Sequence, residues 1–264
     1  MIMAQGVFLS FEGIDGSGKS TQARRLAEAL RARGRAVTLT REPGGSAGAE
    51  EIRRLVLTGD PDRWSPETEI LLFTAARRDH LEKTIQPALA RGEVVITDRF
   101  ADSTRMYQGL RGAGLGATVD RLHDLMIGRE PDLTFLIDID PVTGLSRAQA
   151  RAGDEMRFEE MGLETQRRMR DGFLALAAAH PRFRVIDGAR DADAVAAEHV
   201  GDGRHGACAA EWVEDDCGSG ACGGGGAGAR VAGDSGRLPA ALRWVITAAD
   251  DVRPPPVPAV PVRS

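Results

Sequence analysis

The chain has 264 residues, of which 42% are hydrophobic, and its formal net charge is −5. This length is enough for one well-buried domain of about 200 residues with a further segment. A net acidic chain is poorly suited to coating nucleic acid, although it can still hold a small anion in a local positive pocket. No run of about 18 apolar residues predicts a membrane span, and residues 1–5 lack the features of a signal peptide. We therefore expect a cytoplasmic protein with neither nucleic-acid nor membrane partners.

Short apolar runs predict the strands, because a strand buried on both faces shows no polar alternation. In chain order the runs are Val7–Phe11, Val37–Thr40, Val94–Thr97, Thr134–Asp138 and Phe183–Ile186. Sequence with helical periodicity separates them. Strands that alternate with helices predict a parallel sheet with helices on both faces. The fold class is therefore α/β, with three layers and a five-stranded parallel sheet over residues 1–198.

Helices are predicted between these strands. Apolar residues recur on one helical face between Ala23 and Leu30, and Gly34 is placed to end that helix. Pro66 opens a second helix, since proline is favoured in the first turn. A further helix is predicted from about Leu163 to Ala179.

Residues 199–264 differ in composition from the rest of the chain. They contain twelve of the 32 glycines, all three cysteines and no phenylalanine. Such a sequence is poor material for a core, so we expect a disordered tail. An alternative interpretation is an out-of-frame reading of a GC-rich gene, which peptide mapping of the natural protein would test. The cysteine spacing is not CxxC and does not favour a zinc site.

A phosphate-binding motif follows the first strand. The sequence from Gly13 to Ser20 fits GxxxxGK[ST] and precedes an amphipathic helix, which is the context that supports a P-loop NTPase fold. Glycines let backbone N–H groups turn toward a phosphate, and the helix N-terminus adds positive partial charge. Lysine occurs only twice in the chain, so a chance lysine at this position is improbable. The predicted ATP-binding residues are Gly13, Ile14, Asp15, Gly16, Ser17, Gly18, Lys19 and Ser20.

Motifs beyond the P-loop narrow the class of protein. No NKxD sequence for reading guanine is present, and the core is near minimal length, so a small kinase is favoured over a switch or a motor. The further motifs are Arg41–Gly45, Leu72–Arg77, Asp98–Phe100, Asp102–Thr104, Tyr107–Gly109 and the arginine-rich segment 147–157. In this order and spacing the chain resembles bacterial thymidylate kinases from about Gly6 to Glu198.

The resemblance implies how the acceptor nucleotide is bound. Phe73 corresponds to an aromatic platform that stacks on thymine, and Arg77 shares its helix face and donates to a thymine carbonyl. Thr104 and, as a weaker candidate, Gln108 face the base. Tyr107 corresponds to an aromatic residue that would crowd a ribose 2′-hydroxyl and so favour deoxynucleotides.

The resemblance also implies residues around the phosphates. Asp15 reaches the acceptor 3′-hydroxyl, while Arg41 and Arg99 hold the acceptor phosphate. Ser20 and Asp98 are the predicted Mg²⁺ residues. Some relatives carry a catalytic arginine within the P-loop, which this sequence lacks at positions 14–17. Cationic catalysis is therefore assigned to a lid at about 147–157, and the predicted catalytic residues are Lys19, Arg99, Arg147, Arg151 and Arg157.

Two departures from the family pattern are visible. Arg105 stands where a small or apolar residue is commoner, and Phe100 replaces a tyrosine or histidine. Neither removes a required chemical group. The resemblance thus implies an ATP- and Mg²⁺-dependent kinase that converts dTMP to dTDP, works as a homodimer and contributes to dTTP synthesis for DNA replication. The alternatives are a kinase for another nucleoside monophosphate and a regulator that binds ATP without transferring phosphate.

Overall fold

The computed structural model describes residues 6–60, 62–150, 162–191 and 195–196. The chain divides into two units, residues 1–200 and 201–264, and the fold described below is that of the first unit. The predicted tail lies outside the described residues. So do Arg151 and Arg157 of the predicted lid, whereas Arg147 is described.

Five parallel strands form the sheet that the apolar runs predict. They are β1 (Val7–Glu12), β2 (Val37–Arg41), β3 (Val94–Asp98), β4 (Leu133–Asp138) and β5 (Phe183–Asp187), in the order β2-β3-β1-β4-β5. Each observed strand agrees with its predicted run to within one residue at either end. Every residue of β1 is buried, as expected for a central strand covered on both faces.

Helices flank this sheet, which makes the fold α/β as predicted. They are α1 (Lys19–Ala32), α2 (Ala47–Leu57), α3 (Pro66–His80), α4 (Gln86–Ala90), α5 (Ala101–Tyr107), α6 (Leu115–Met126), α7 (Pro141–Gln149) and α8 (Leu163–Ala179). A wider helical turn, Leu81–Ile85, joins α3 to α4. Gly34 follows α1 with a φ of 75°, in the left-handed region that glycine tolerates, so the predicted stop is confirmed. No helix in the described ranges is both long and apolar enough to cross a membrane.

The packing around Phe100 and the ion pairs of Arg105 explain the two departures from the family pattern. Phe100 is fully buried and packs edge-to-face on Phe8 with ring centroids 5.0 Å apart, so an apolar ring suits this site. Arg105 forms ion pairs with Asp102 at 2.7 Å, Asp120 at 2.8 Å and Glu130 at 2.7 Å. Its charge is therefore neutralised within the fold, away from the carboxyl ends of the strands.

Candidate active site

A cavity of about 750 Å³ lies where β1, β2 and β3 end, the usual ligand position in open parallel sheets. Its lining includes six basic and three acidic side chains, so the cavity is locally positive although the chain carries a net charge of −5. The basic residues are Lys19, Arg24, Arg41, Arg53, Arg77 and Arg99, and the acidic ones are Asp15, Glu42 and Asp98. Such a cavity suits an anionic ligand.

The P-loop curves between β1 and α1 with its glycines in left-handed backbone conformations. Gly13, Gly16 and Gly18 have φ values of 139°, 76° and 97°. A Cβ atom at Gly16 would lie 1.9 Å from the carbonyl oxygen of Gly144 in α7, so this close approach requires glycine. The loop is therefore shaped by its own sequence and by α7 packed against it.

Lys19 begins α1 and extends back across the loop. Its Nζ donates to the Ile14 carbonyl at 2.7 Å, and its side chain lines the cavity. Burial lowers the pKa of Lys19 to about 8, with a further lowering by Arg99, while nearby carboxylates including Asp15 and Asp98 oppose the change. A phosphate placed here would favour the charged ammonium by the same Coulombic effect.

Asp15, Arg99 and Tyr107 form a polar triad in the cavity wall. Arg99 pairs with Asp15 Oδ1 and donates to the Tyr107 hydroxyl at 2.9 Å, and that hydroxyl donates to Asp15 Oδ2 at 2.7 Å. Burial alone would raise the pKa of Asp15, but Arg99 and then Lys19 outweigh it and lower the pKa. Burial also raises the pKa of Tyr107 well above its usual value, so its hydroxyl remains a donor.

The Arg99 backbone adopts a left-handed conformation, with φ at 70°, which is unusual for a residue with a side chain. Surrounding groups hold it there. The Arg99 N–H donates to the Phe11 carbonyl at 2.9 Å, and the next N–H, of Phe100, donates to Glu12 Oε1 at 2.7 Å. Ser103 donates to Glu12 Oε2 at 2.7 Å and accepts from Arg99 Nη1 at 2.9 Å. The buried Glu12 therefore supports both the turn and the guanidinium.

Ser20 and Asp98 meet beside the P-loop. The Ser20 hydroxyl donates to Asp98 Oδ2. The other oxygen, Oδ1, is buried and has no hydrogen-bond partner among the described residues. A hydroxyl beside a carboxylate with an unused oxygen is a donor set that suits a hard cation.

The opposite end of the cavity carries Phe73 and Arg77 on α3. Phe73 is half-buried and lines the cavity. Arg77 is 4% exposed, and its Nη2 donates to the Thr104 hydroxyl at 2.9 Å. Its Nε donates to Glu42 Oε2 at 2.7 Å, while the second Glu42 oxygen lies 3.0 Å from His80 Nδ1. Glu42 thus fixes the guanidinium plane.

Gln108 follows α5 and also lines the cavity. Its Nε2 donates to Glu69 Oε2 at 3.1 Å, and Arg111 Nη1 donates to the same oxygen at 2.8 Å. Glu69 is fully buried on α3. The structure thus brings to the lining of one cavity all the residues that the sequence analysis assigned to the base and sugar, namely Phe73, Arg77, Thr104, Tyr107 and Gln108.

Two predicted arginines lie nearer the surface. Arg41 lines the cavity from the end of β2 and pairs with Glu50 at 3.3 Å, where the Arg41 side chain is exposed and that of Glu50 is partly buried. Arg147 is exposed near the end of α7, and its Nη1 lies 3.3 Å from the carbonyl oxygen of Gly188. The structure thus brings Arg41 to the cavity, whereas Arg147 is not among the lining residues.

The sequence analysis did not identify the carboxylates that hold other site residues in position. Glu42 stands inside the quoted Arg41–Gly45 motif, so a signal for it was present. Glu69 has no such signal, since one acidic residue in the first turn of a helix is ordinary. Gln166 on α8, an amide rather than an acid, donates from Nε2 to Asp15 Oδ2 at 3.4 Å and was also missed, since a single glutamine within a helix forms no motif.

Comparisons with known proteins identify the family of this chain. A family model described as thymidylate kinase matches residues 11–198. The chain is 74% identical over 194 residues to a thymidylate kinase of Ruegeria pomeroyi, covering 73% of this chain and 92% of that relative. It is 48% identical over 194 residues to one of Geobacter sp., covering 70% and 86%. A crystal structure of thymidylate kinase from Ehrlichia chaffeensis superposes with a TM-score of 0.57 at 39% identity, covering 69% of this chain and 93% of that one.

Proposed function

This chain belongs to the thymidylate kinase family, and from that premise we propose how its cavity performs the reaction. The protein is an enzyme, a nucleoside monophosphate kinase that phosphorylates dTMP to dTDP in the synthesis of dTTP. The observation that carries the proposal is that one cavity is lined both by P-loop residues and by Phe73 and Arg77 of α3.

We assign ATP to the P-loop end. Residues 13–20 present backbone N–H groups and the start of α1 to its phosphates. Lys19 carries a charge to the β- and γ-phosphates. The ammonium already lies inside the loop, at 2.7 Å from the Ile14 carbonyl, so the loop and its cation are preorganised.

We assign dTMP to the opposite end. Phe73 offers a face for thymine, and Arg77 offers guanidinium donors to a base carbonyl while Glu42 holds it in place. Tyr107, whose ring lines the cavity, would crowd a ribose 2′-hydroxyl. We assign Asp15 to the 3′-hydroxyl, and Arg41 and Arg99 to the 5′-phosphate.

The proposed chemical step is an in-line transfer. A phosphate oxygen of dTMP forms a bond to the γ-phosphorus of ATP, and the bond from that phosphorus to the β,γ-bridging oxygen breaks, leaving ADP. The acceptor oxygen is already a competent nucleophile, so no strong base is required. Catalysis then depends on position and charge neutralisation by Lys19, Arg99 and the arginines of segment 147–157.

The residues present fit a magnesium ion. The Ser20 hydroxyl and Asp98 Oδ1, which has no hydrogen-bond partner in the described ranges, supply oxygen donors at the P-loop. When bound, the ion would neutralise phosphate charge. We therefore include Mg²⁺ as the proposed cofactor, with Ser20 and Asp98 as the residues that hold it directly or through water.

An acceptor panel tests the substrate. ADP release is measured with dTMP, dUMP, dCMP and AMP in parallel, and we expect dTMP to give the largest kcat/KM. A larger value for another nucleotide would favour a different kinase. Tight ATP binding without acceptor-dependent ADP release would favour a regulator.

Substitution of the P-loop lysine tests the site. Lys19→Ala should lower turnover by about 10³-fold or more, because the transferring phosphoryl loses a buried cation aimed at it. Lys83→Ala is the matched control, since Lys83 is the other lysine of the chain and lies outside the cavity lining. Near-normal turnover in Lys19→Ala would contradict the assignment of ATP to the P-loop.

We also propose a cytoplasmic homodimer that acts on mononucleotides rather than nucleic acid. Helices α3 and α6 pack together through Ile70, Leu115 and Val119. On their outer sides, Leu71 is 57% and Leu125 76% exposed, as expected of a subunit interface. Sedimentation equilibrium measures this state directly, and a monomer at micromolar concentration would contradict the proposal.

A further inference from the structure

A buried carboxylate contacts one of the cavity residues assigned to the nucleobase. Glu69 is 0% exposed on α3, and its Oε2 accepts from Gln108 Nε2 at 3.1 Å and from Arg111 Nη1 at 2.8 Å. An ionised carboxylate only accepts hydrogen bonds, whereas a side-chain amide has one donating and one accepting end. The amide end that faces Glu69 must therefore be the nitrogen.

This contact determines which end of the amide a ligand meets. Gln108 is 1% exposed yet lines the cavity. Its nitrogen donates to Glu69, which leaves the oxygen as the end of the amide that can face a ligand. We propose that Glu69 is a positioning residue that makes Gln108 present an acceptor to the nucleobase, and that it thereby excludes bases lacking a donor at this edge. The inference rests on the proposed dTMP site.

The hydrogen-bonding groups of the pyrimidines determine which base this amide orientation favours. Thymine has a carbonyl at position 4 and an N–H at position 3, whereas cytosine has an amino group at position 4 and an acceptor nitrogen at position 3. Arg77 offers donors, which suit the thymine carbonyl, and the Gln108 oxygen suits the thymine N–H. Cytosine would face two mismatched contacts, and unpaired buried polar groups discriminate strongly.

The experiment uses 5-methyl-dCMP, which shares the methyl group of dTMP and differs at positions 3 and 4. The kcat/KM ratio of dTMP to 5-methyl-dCMP is measured for the full-length chain and for Glu69→Leu, which fills similar space without an acceptor. In Glu69→Leu the amide is free to turn its nitrogen toward cytosine. We expect the ratio to fall by about tenfold to hundredfold, the range corresponding to one hydrogen bond to a charged group.

Three further variants separate positioning from mere stability. Glu67→Leu, an exposed carboxylate on the same helix, should leave the ratio unchanged. Glu69→Gln keeps one acceptor oxygen for both donors, so it should retain the ratio to within about threefold. In a Gln108→Leu background, Glu69→Leu should have no further effect on the ratio, because a residue that acts through Gln108 has nothing left to orient.

The outcomes are distinguishable. An unchanged ratio in Glu69→Leu, or an equal fall with and without Gln108, overturns the inference while leaving the dTMP site intact. Absence of dTMP-dependent ADP release in the unsubstituted enzyme would instead refute the proposed function. If Glu69→Leu does not fold, Gln108→Leu tests the inference by itself. An unchanged kcat/KM ratio in Gln108→Leu would show that Gln108 does not select the base, and would overturn the inference.

Discussion

The buried carboxyl of Glu12 makes the stability of this enzyme depend on pH in an unusual direction. Glu12 is 0% exposed at the end of β1, where it accepts from the Phe100 N–H and the Ser103 hydroxyl, both at 2.7 Å. Burial, and then Asp102, raises the pKa of Glu12 from 4.5 to about 7, although Arg99 acts in the opposite sense. The folded protein therefore binds a proton here that the unfolded chain releases near pH 4.5.

The magnitude follows from these two pKa values. At about 1.4 kcal/mol per pKa unit, their difference corresponds to roughly 3 kcal/mol of unfolding free energy. Between pH 4.5 and 7 the folded state binds more protons than the unfolded one, so stability falls as the pH rises. The contribution of Glu12 is thus fully present below pH 4.5 and is lost as the pH rises through about 7.

Glu12→Gln removes this titration while keeping an acceptor for Phe100 and a polar partner for Ser103. Urea unfolding at pH 5, 6, 7 and 8 gives the unfolding free energy of both proteins. We expect the unfolding free energy of the variant, relative to that of the parent, to rise by up to about 3 kcal/mol between pH 5 and pH 8. Glu51→Gln, at an exposed position on α2, controls for loss of a carboxylate. Parallel pH profiles for Glu12→Gln and the parent would refute the reasoning.

Two further substitutions test the geometry around the phosphates and the sugar. Tyr107→Phe loses its hydrogen bonds to Asp15 and Arg99 but keeps the ring, so kcat/KM for dTMP should fall about tenfold while preference over the 2′-hydroxy analogue persists. Loss of that preference would contradict the ring's role. Gly144→Ala places a Cβ 2.7 Å from the Asp15 carbonyl oxygen, so the P-loop must shift and the KM for ATP should rise several-fold. Gly116→Ala adds a Cβ that would meet no atom of the described residues within 4 Å, so it should leave the KM unchanged.

The sheet was predictable because buried strands leave a strong local signal. Each apolar run became a strand, and Leu163–Ala179 was predicted with the bounds that α8 has. Helices α2, α4, α5, α6 and α7 were not predicted, although Ala49 and Val56 bury one face of α2. Short helices carry few periodic positions, so their pattern is less distinct from that of loops.

The Arg99 conformation marks the limit of such local reasoning. The sequence Asp98-Arg99-Phe100 identified a ligand position at the end of a strand, but nothing in it indicates a left-handed backbone at an arginine. That conformation is held by partners elsewhere in the chain, namely the Phe11 carbonyl and the Glu12 carboxylate. A strained residue of this kind persists only when surrounding structure fixes it.

Glu42 and Glu69 were not identified from motifs for a similar reason, although the residues that they hold were. Motifs identify side chains expected to contact the substrate. The orientation of two of these side chains, Arg77 and Gln108, depends on a carboxylate from another part of the chain. Glu42 after β2 fixes Arg77 on α3, and Glu69 on α3 fixes Gln108 after α5. Removal of such an acid leaves every substrate-contacting residue in place but lets it turn. Substrate choice in this enzyme should therefore be more sensitive to its buried acids than a list of contact residues implies.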